Sequence, residues 1–358
     1  MQVRAKNFLY ELLTTPSPSG FEEPVQRVVK KHMRQVADMI ELDVHGNLIA
    51  SVNPDAPVRV MLAGHCDQIG LMVNHISEQG YISVSAIGGV DPSVLPGSIV
   101  VIHTARGPIR GVLGQKAIHL IPPEERGKKA DLKKLWIDIG VENAKEAKKI
   151  VSVGDPITFD NQVTVIGKNR IASPGCDDRV GVFIVMEALR VVAERKKRIK
   201  DFPVALFAVS TVQEELGLRG ARTSCFGIDP IAGIAVDVTH ASDNPGADAK
   251  EIGTMELGKG PAISRGANIN KVLESLLIKA AKKKKIPYQP EAASSATGTD
   301  ANAIQITRAG VASALVSVPN RYMHTQVEVV DLRDIEWAVE LVAEAVLSIT
   351  ERTSFIPE

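Results

Sequence analysis

Apolar residues recur at helical spacing over residues 3–14, and Pro16-Ser17-Pro18-Ser19-Gly20 breaks that pattern before a second helix starts near Glu22. Val25, Val28, Val29, Met33 and Val36 form the buried stripe of this second helix. Leu42 to Val44 and Leu48 to Val52 flank His45-Gly46-Asn47, which reads as a short hairpin connection. Val58 to Ala63 is apolar apart from Arg59 and suits a central strand covered on both faces. After residue 69 the texture changes. Short alternating segments, Tyr81 to Val84, Ser98 to His103 and Ile109 to Leu113, are separated by Gly and Pro turns and predict β structure. The Lys/Glu-rich stretch 123–149 predicts a surface helix.

Longer elements resume near residue 170. The pattern predicts a helix from about Asp178 to Arg195, strands Val204 to Val209 and Ile231 to Val238, and a helix from about Asn268 to Lys284. A strand Val311 to Val318 and a last helix from about Leu332 to Glu351 follow. Alternation of this kind implies βαβ units, so the expected fold class is α/β, with a mostly parallel sheet flanked by helices. The simplest organisation is a discontinuous α/β domain, 1–68 plus 165–358, interrupted by a β-rich insertion at 69–164.

Composition narrows the function. At 358 residues the chain is long enough for about two domains. Hydrophobic residues at 44% and charged residues at 23% are ordinary for a globular protein with a large core. Lys+Arg and Asp+Glu balance at 42 each, so neither nucleic acid nor an anionic membrane surface is an expected partner. The basic runs Arg195 to Arg198 and Lys282 to Lys285 each end an amphipathic stretch, where cations complement the helix dipole. Three scattered cysteines make no disulfide framework and point to a reducing, cytoplasmic setting. No apolar run approaches the ~20 residues of a membrane span.

Candidate ligands cluster where the strands end: His65 and Asp67 after Val58–Ala63, Glu214 and Glu215 after Val204–Val209, and Asp237 in Ile231–Val238. Asp177-Asp178-Arg179 precedes a helix, and His324 follows the strand Val311–Val318. Taken singly these have ordinary readings, such as a helix N-cap for Asp177 or Asp178, a local ion pair for Arg179 and a solvated turn for Glu214-Glu215. Together they converge, because open α/β sheets bind ligands beyond the carboxyl ends of their strands. Two divalent ions bring four positive charges; Asp177, Glu215 and Asp237 supply three negative ones, and a bridging hydroxide would make the site neutral. Histidine and carboxylate donors without thiolate suit zinc, cobalt or manganese. Two such ions ~3.5–4 Å apart would acidify a shared water and polarise a carbonyl, and Glu214 would take the water's proton as general base.

Five motifs, in this order, resemble those of the M42 aminopeptidases, the TET-type metallopeptidases. They are Gly64-His65-Cys66-Asp67, Asp177-Asp178-Arg179-Val180-Gly181, Thr211-Val212-Gln213-Glu214-Glu215-Leu216-Gly217, Val236-Asp237-Val238-Thr239 and Arg321-Tyr322-Met323-His324. The resemblance implies one ion on His65, Asp177 and Asp237 and a second on Asp177, Glu215 and His324, with Asp67 orienting the His65 ring. It further implies cleavage of N-terminal residues from short peptides with a free amine. The insertion becomes a dimerisation domain, and dimers become a homo-oligomer, a hollow tetrahedral dodecamer. A glycosidase is the rival that the adjacent carboxylates Glu214 and Glu215 bring to mind, but neighbours in sequence cannot straddle a sugar at ~5–9.5 Å, and His65 and His324 would stand idle. Cys66 and Cys176 each adjoin a candidate ligand, and their ordinary reading is as small buried hydrophobes.

Overall fold

A computed structural model describes residues 1–127 and 129–357. Its main sheet has eight strands in the order Met39–Leu42, Leu48–Val52, Val204–Thr211, Val58–His65, Ala232–His240, Ala312–Asn320, Ala262–Gly266 and Gln289–Ala293. The strands from Val204–Thr211 to Ala312–Asn320 run parallel, and antiparallel pairings flank them. Side chains alternate between the two faces of each strand. Val60, Leu62, Leu206 and Ile234 therefore pack with the helices Val3–Thr14, Glu23–Met33, Cys176–Arg195, Lys271–Lys284 and Leu332–Leu347. Met61, Ala63, Phe207 and Ala235 pack on the opposite side with the helices Arg219–Ile228 and Asp300–Gln305. Arg59, the polar interruption in its strand, lays its guanidinium 5.3 Å from the centre of the Phe207 ring.

Residues 70–159 contain a closed barrel in the order Gly70–Ile76, Ile82–Ile87, Trp136–Asp138, Gly107–Gly114, Ile99–Thr104 and Pro156–Phe159. Closure pairs the edges that short strands would otherwise expose. The barrel has its own core, built on Leu71, Val73, Ile82, Val100, Leu113 and Ile157. A small antiparallel sheet, Thr164–Ile166, Arg170–Ser173 and Glu328–Asp331, carries the chain onward and sets Ser173 opposite Glu328. Among the described residues no helix is long and apolar enough to cross a membrane.

The first hairpin strand ends earlier than expected, and the surface helix expected in 123–149 is present. The first hairpin strand is Met39–Leu42, because the Asp43 carboxylate accepts from the main-chain N–H of His45, Gly46 and Asn47 at 2.9 Å each and turns the chain there. In 123–149 the only α-helix among the described residues is Ala144–Ile150, preceded by short turns at Pro123–Glu125 and Leu132–Lys134; Lys128 lies outside the described residues. The basic runs do sit at helix ends, and there they also pair across helices, Arg195 with Glu340 at 2.7 Å and Lys284 with Glu344 at 3.3 Å.

Arg179 does not pair with the adjacent carboxylates. Fully buried, it donates to the main-chain oxygens of Gly175, Leu12, Thr15 and Pro174, tying the first helix to the turn that presents Asp177. Hydrogen bonds to a charged group contribute roughly 1.5–3 kcal/mol each, so Arg179→Met should lower the unfolding free energy by at least ~3 kcal/mol. The check is the denaturant midpoint, and an unchanged midpoint would contradict this role.

Candidate metal centre

The parallel strands end along one edge of the sheet, and the turns beyond them meet there. His65 closes the strand Val58–His65, and Asp237 lies near the end of Ala232–His240. Glu214 and Glu215 follow Val204–Thr211, and His324 follows Ala312–Asn320. Asp177 enters from the head of the segment Cys176–Arg195, where its backbone is not yet helical. This segment can come so close because Gly64 and Gly181 face one another: a Cβ on Gly64 would lie 2.5 Å from the Gly181 carbonyl carbon. The Asp178 carboxylate ties the pair, accepting from the main-chain N–H of His65 at 3.2 Å and of Gly181 at 3.0 Å.

Asp177 sits at the middle. Its Oδ1 is 3.0 Å from His65 Nε2, and its Oδ2 is 3.2 Å from His324 Nε2. Each ring has its other nitrogen on a main-chain oxygen, His65 Nδ1 on Asp67 at 3.0 Å and His324 Nδ1 on Gly89 at 3.1 Å. With Nδ1 held in this way, each ring turns its Nε2 toward the Asp177 carboxylate, the orientation of a histidine placed to bind a metal. Glu215 Oε1 lies 3.4 Å from His324 Nε2, and Glu214 Oε2 lies 3.8 Å from His65 Nε2. Two triads result, His65–Asp177–Asp237 and Asp177–Glu215–His324, each offering ligand atoms within 4.8 Å of one another. The five candidate ligands are thus brought together, with Glu214 beside His65, and Asp177 belongs to both triads.

The electrostatics fit cations. Burial pushes Glu214 up to about 10 and Glu215 up to about 7, and lifts Asp237 well above the usual carboxylate range. Asp177 moves the other way: burial would raise it, but hydrogen bonds from His324 and His65 hold it low. His324 rises to about 9, first through its bond to Asp177. His65 is raised as well, because Glu214, Asp177 and Asp67 outweigh the opposing effect of burial. The cluster therefore crowds four carboxyls against two imidazoles, and among the described residues Glu215 Oε1 is a buried acceptor with no hydrogen-bond donor. Imidazole and carboxylate donors suit borderline divalent ions, so the residues present fit a metal.

Asp67 holds more than the neighbouring ring. Its carboxylate lies 3.5 Å from His65 Nδ1, and closer contacts go to the main-chain N–H of Glu214 at 3.0 Å and of Glu215 at 3.2 Å, with Ser19 Oγ donating at 2.6 Å. It thereby fixes the turn bearing both glutamates. Sequence reading passed over Glu328, which accepts from the main-chain N–H of Asp177 at 2.9 Å and of His324 at 2.8 Å. A single acid in the otherwise apolar Val327-Glu328-Val329-Val330 was the available signal. Cys66 and Cys176 are fully buried, and burial pushes both thiols well up, which makes them inert packing residues. A cavity of about 720 Å³ opens over the cluster and is lined on its far side by residues 291–299.

The model of the M42 glutamyl aminopeptidase family matches residues 46–341. The chain belongs to this family. A lysyl aminopeptidase of Pyrococcus furiosus is 39% identical over 350 residues, covering 97% of this chain and 98% of that protein. Among solved structures, the TET aminopeptidase of the marine sediment archaeon Thaumarchaeota archaeon SCGC AB-539-E09 superposes with a TM-score of 0.91 at 34% identity, covering 97% of each chain. The TET1 peptidase of Pyrococcus horikoshii, which can assemble into a tetrahedron or a large octahedral shell, gives a TM-score of 0.85 at 28% identity over 96% of this chain and 100% of that one. As an M42 peptidase the chain is a metal-dependent aminopeptidase.

In this M42 chain Glu328 spans two of the candidate ligands from behind. Glu328→Ala should therefore weaken zinc or cobalt binding about 10- to 100-fold, the usual effect of removing a ligand's hydrogen-bonded support. Competition with a chromophoric chelator measures it, and an unaltered affinity would show that Asp177 and His324 are positioned without Glu328.

Proposed function

We propose that this chain removes N-terminal residues from short peptides by means of two divalent ions, with Glu214 as general base. His65, Asp177 and Asp237 would hold one ion and Asp177, Glu215 and His324 the other. The observation that carries this reading is the Asp177 carboxylate, which offers one oxygen to each of two histidine Nε2 atoms, at 3.0 and 3.2 Å. When bound, the ions, zinc or cobalt first and manganese as a further candidate, supply Lewis acidity toward the peptide carbonyl and a more acidic water.

The chain's own residues do the rest. Glu214 lines the cavity but belongs to neither triad, which leaves its carboxylate for proton transfer. Asp67 aims it by holding its main-chain N–H. Glu214 accepts the proton of the attacking water and returns it to the leaving amine. A free substrate amine beside the acidic cluster limits cleavage to the first peptide bond.

The same reading makes 1–68 with 165–358 the catalytic domain and 69–164 the inserted dimerisation domain. Exposed Met72, Tyr81, Ile99 and Val112 on the barrel support an interface there. Dimers assembling to a tetrahedral dodecamer follow the P. horikoshii relative, which can form a tetrahedron. The free, buried cysteines support a cytoplasmic location. For the preferred N-terminal residue the relatives point in opposite directions, since the family description names glutamate and the P. furiosus protein lysine.

Glu214→Gln should bind metal as the wild type does and lose about 10²- to 10⁴-fold in kcat on aminoacyl-amide substrates. Wild-type activity should vanish with a chelator, return with zinc or cobalt, and spare N-acetylated peptides. Undiminished turnover by Glu214→Gln would overturn the assigned base, and hydrolysis of N-acetylated peptides would favour a related dinuclear deacylase.

A further inference from the structure

Outside the metal cluster, the described residues that line the cavity of about 720 Å³ include two other ionisable side chains, His240 and Glu291, and no lysine or arginine. Glu291 is half-buried on the strand Gln289–Ala293. Its Oε1 accepts from Thr239 Oγ1 at 2.5 Å, and its Oε2 accepts from Ser264 Oγ. Both partners are neutral hydroxyls. Among the described residues no Lys, Arg or His pairs with this carboxylate, so it is held in a fixed orientation while its charge stays uncompensated.

Its position relative to the chemistry follows from the sheet. Thr239 lies two residues beyond Asp237 on the strand Ala232–His240, so both side chains leave the same face, roughly 7 Å apart. Leu315 lines the same cavity and supplies apolar wall. Ser317 Oγ, buried and without a hydrogen-bond partner among the described residues, also faces it.

We propose that Glu291 closes the pocket that receives the side chain of the substrate's N-terminal residue, and that this pocket selects lysine or arginine and rejects glutamate and aspartate. The proposal rests on the reading of the cluster as an aminopeptidase centre. A lysine presents its four-carbon stem to the apolar wall and its ammonium to the free lone pairs of Glu291, which is how an amphipathic side chain is best accommodated. Arginine can do the same with a two-pronged contact. An acidic side chain would meet a fixed like charge, with no lysine or arginine among the described lining residues to receive it.

The test is a comparison of kcat/KM for lysyl-, arginyl-, leucyl- and glutamyl-p-nitroanilide with the metal-loaded wild type and Glu291→Gln. The wild type should favour the lysyl or arginyl substrate over the leucyl one by about tenfold or more and discriminate still further against the glutamyl one. Glu291→Gln should reduce the lysyl-to-leucyl ratio by about 10- to 100-fold. A wild type that prefers the leucyl or glutamyl substrate overturns the proposal without need of any variant. So does a Glu291→Gln enzyme with an unchanged lysyl-to-leucyl ratio. In both cases leucyl hydrolysis shows that the aminopeptidase reading still stands, whereas a metal-loaded wild type that cleaves none of the four substrates overturns both.

Discussion

Asp177, Glu214, Glu215 and Asp237 are gathered at the edge of an apolar sheet, and most of the surrounding structure answers the problem of keeping them there. Like charges at this spacing repel strongly in a medium of low dielectric. Burial pushes the carboxyls of Glu214, Glu215 and Asp237 upward, neighbouring acids add to that push, and the two imidazoles hold only Asp177 low. In the proposed reading divalent cations would resolve the conflict, and the main-chain oxygens of Asp67 and Gly89 hold both rings with Nε2 turned into the cluster.

Around this cluster lies a set of hydrogen-bonded carboxylates whose partners are mostly main-chain N–H groups. Asp67 holds Glu214 and Glu215, Asp178 holds His65 and Gly181, and Glu328 holds Asp177 and His324. Each fastens the backbone of a candidate ligand or base, so the side chain it carries has little freedom left to lose. Gly89, in the loop between two barrel strands, contributes the oxygen that orients His324. The barrel segment is therefore joined to the site through a specific contact.

The fold and the inner ring of the site were legible for different reasons. Long apolar strands and amphipathic helices announce themselves by period, and the parallel order follows from their alternation. The candidate ligands stood out because acids and imidazoles at the ends of strands built from Val, Ile and Ala have few other uses. The supporting residues were harder to see. Arg179 looked like an ion-pair partner for Asp177 or Asp178 and instead serves four main-chain oxygens. Nothing in local sequence announces that choice, which depends on where the first helix ends. Glu328 and Glu291 act on residues far away in the chain, and the helix Arg219–Ile228 was missed because its glycines and short polar residues have low helix propensity.

The central claim is that one carboxylate, Asp177, serves two ions at once. Metal analysis of purified protein, apo-treated, reloaded with zinc or cobalt and freed of excess by gel filtration, tests it directly beside Asp177→Asn treated in the same way. The account predicts two ions per chain in the active wild type and loss of both in the variant. A fully active wild type with a single ion, or an Asp177→Asn protein that keeps two, would contradict it.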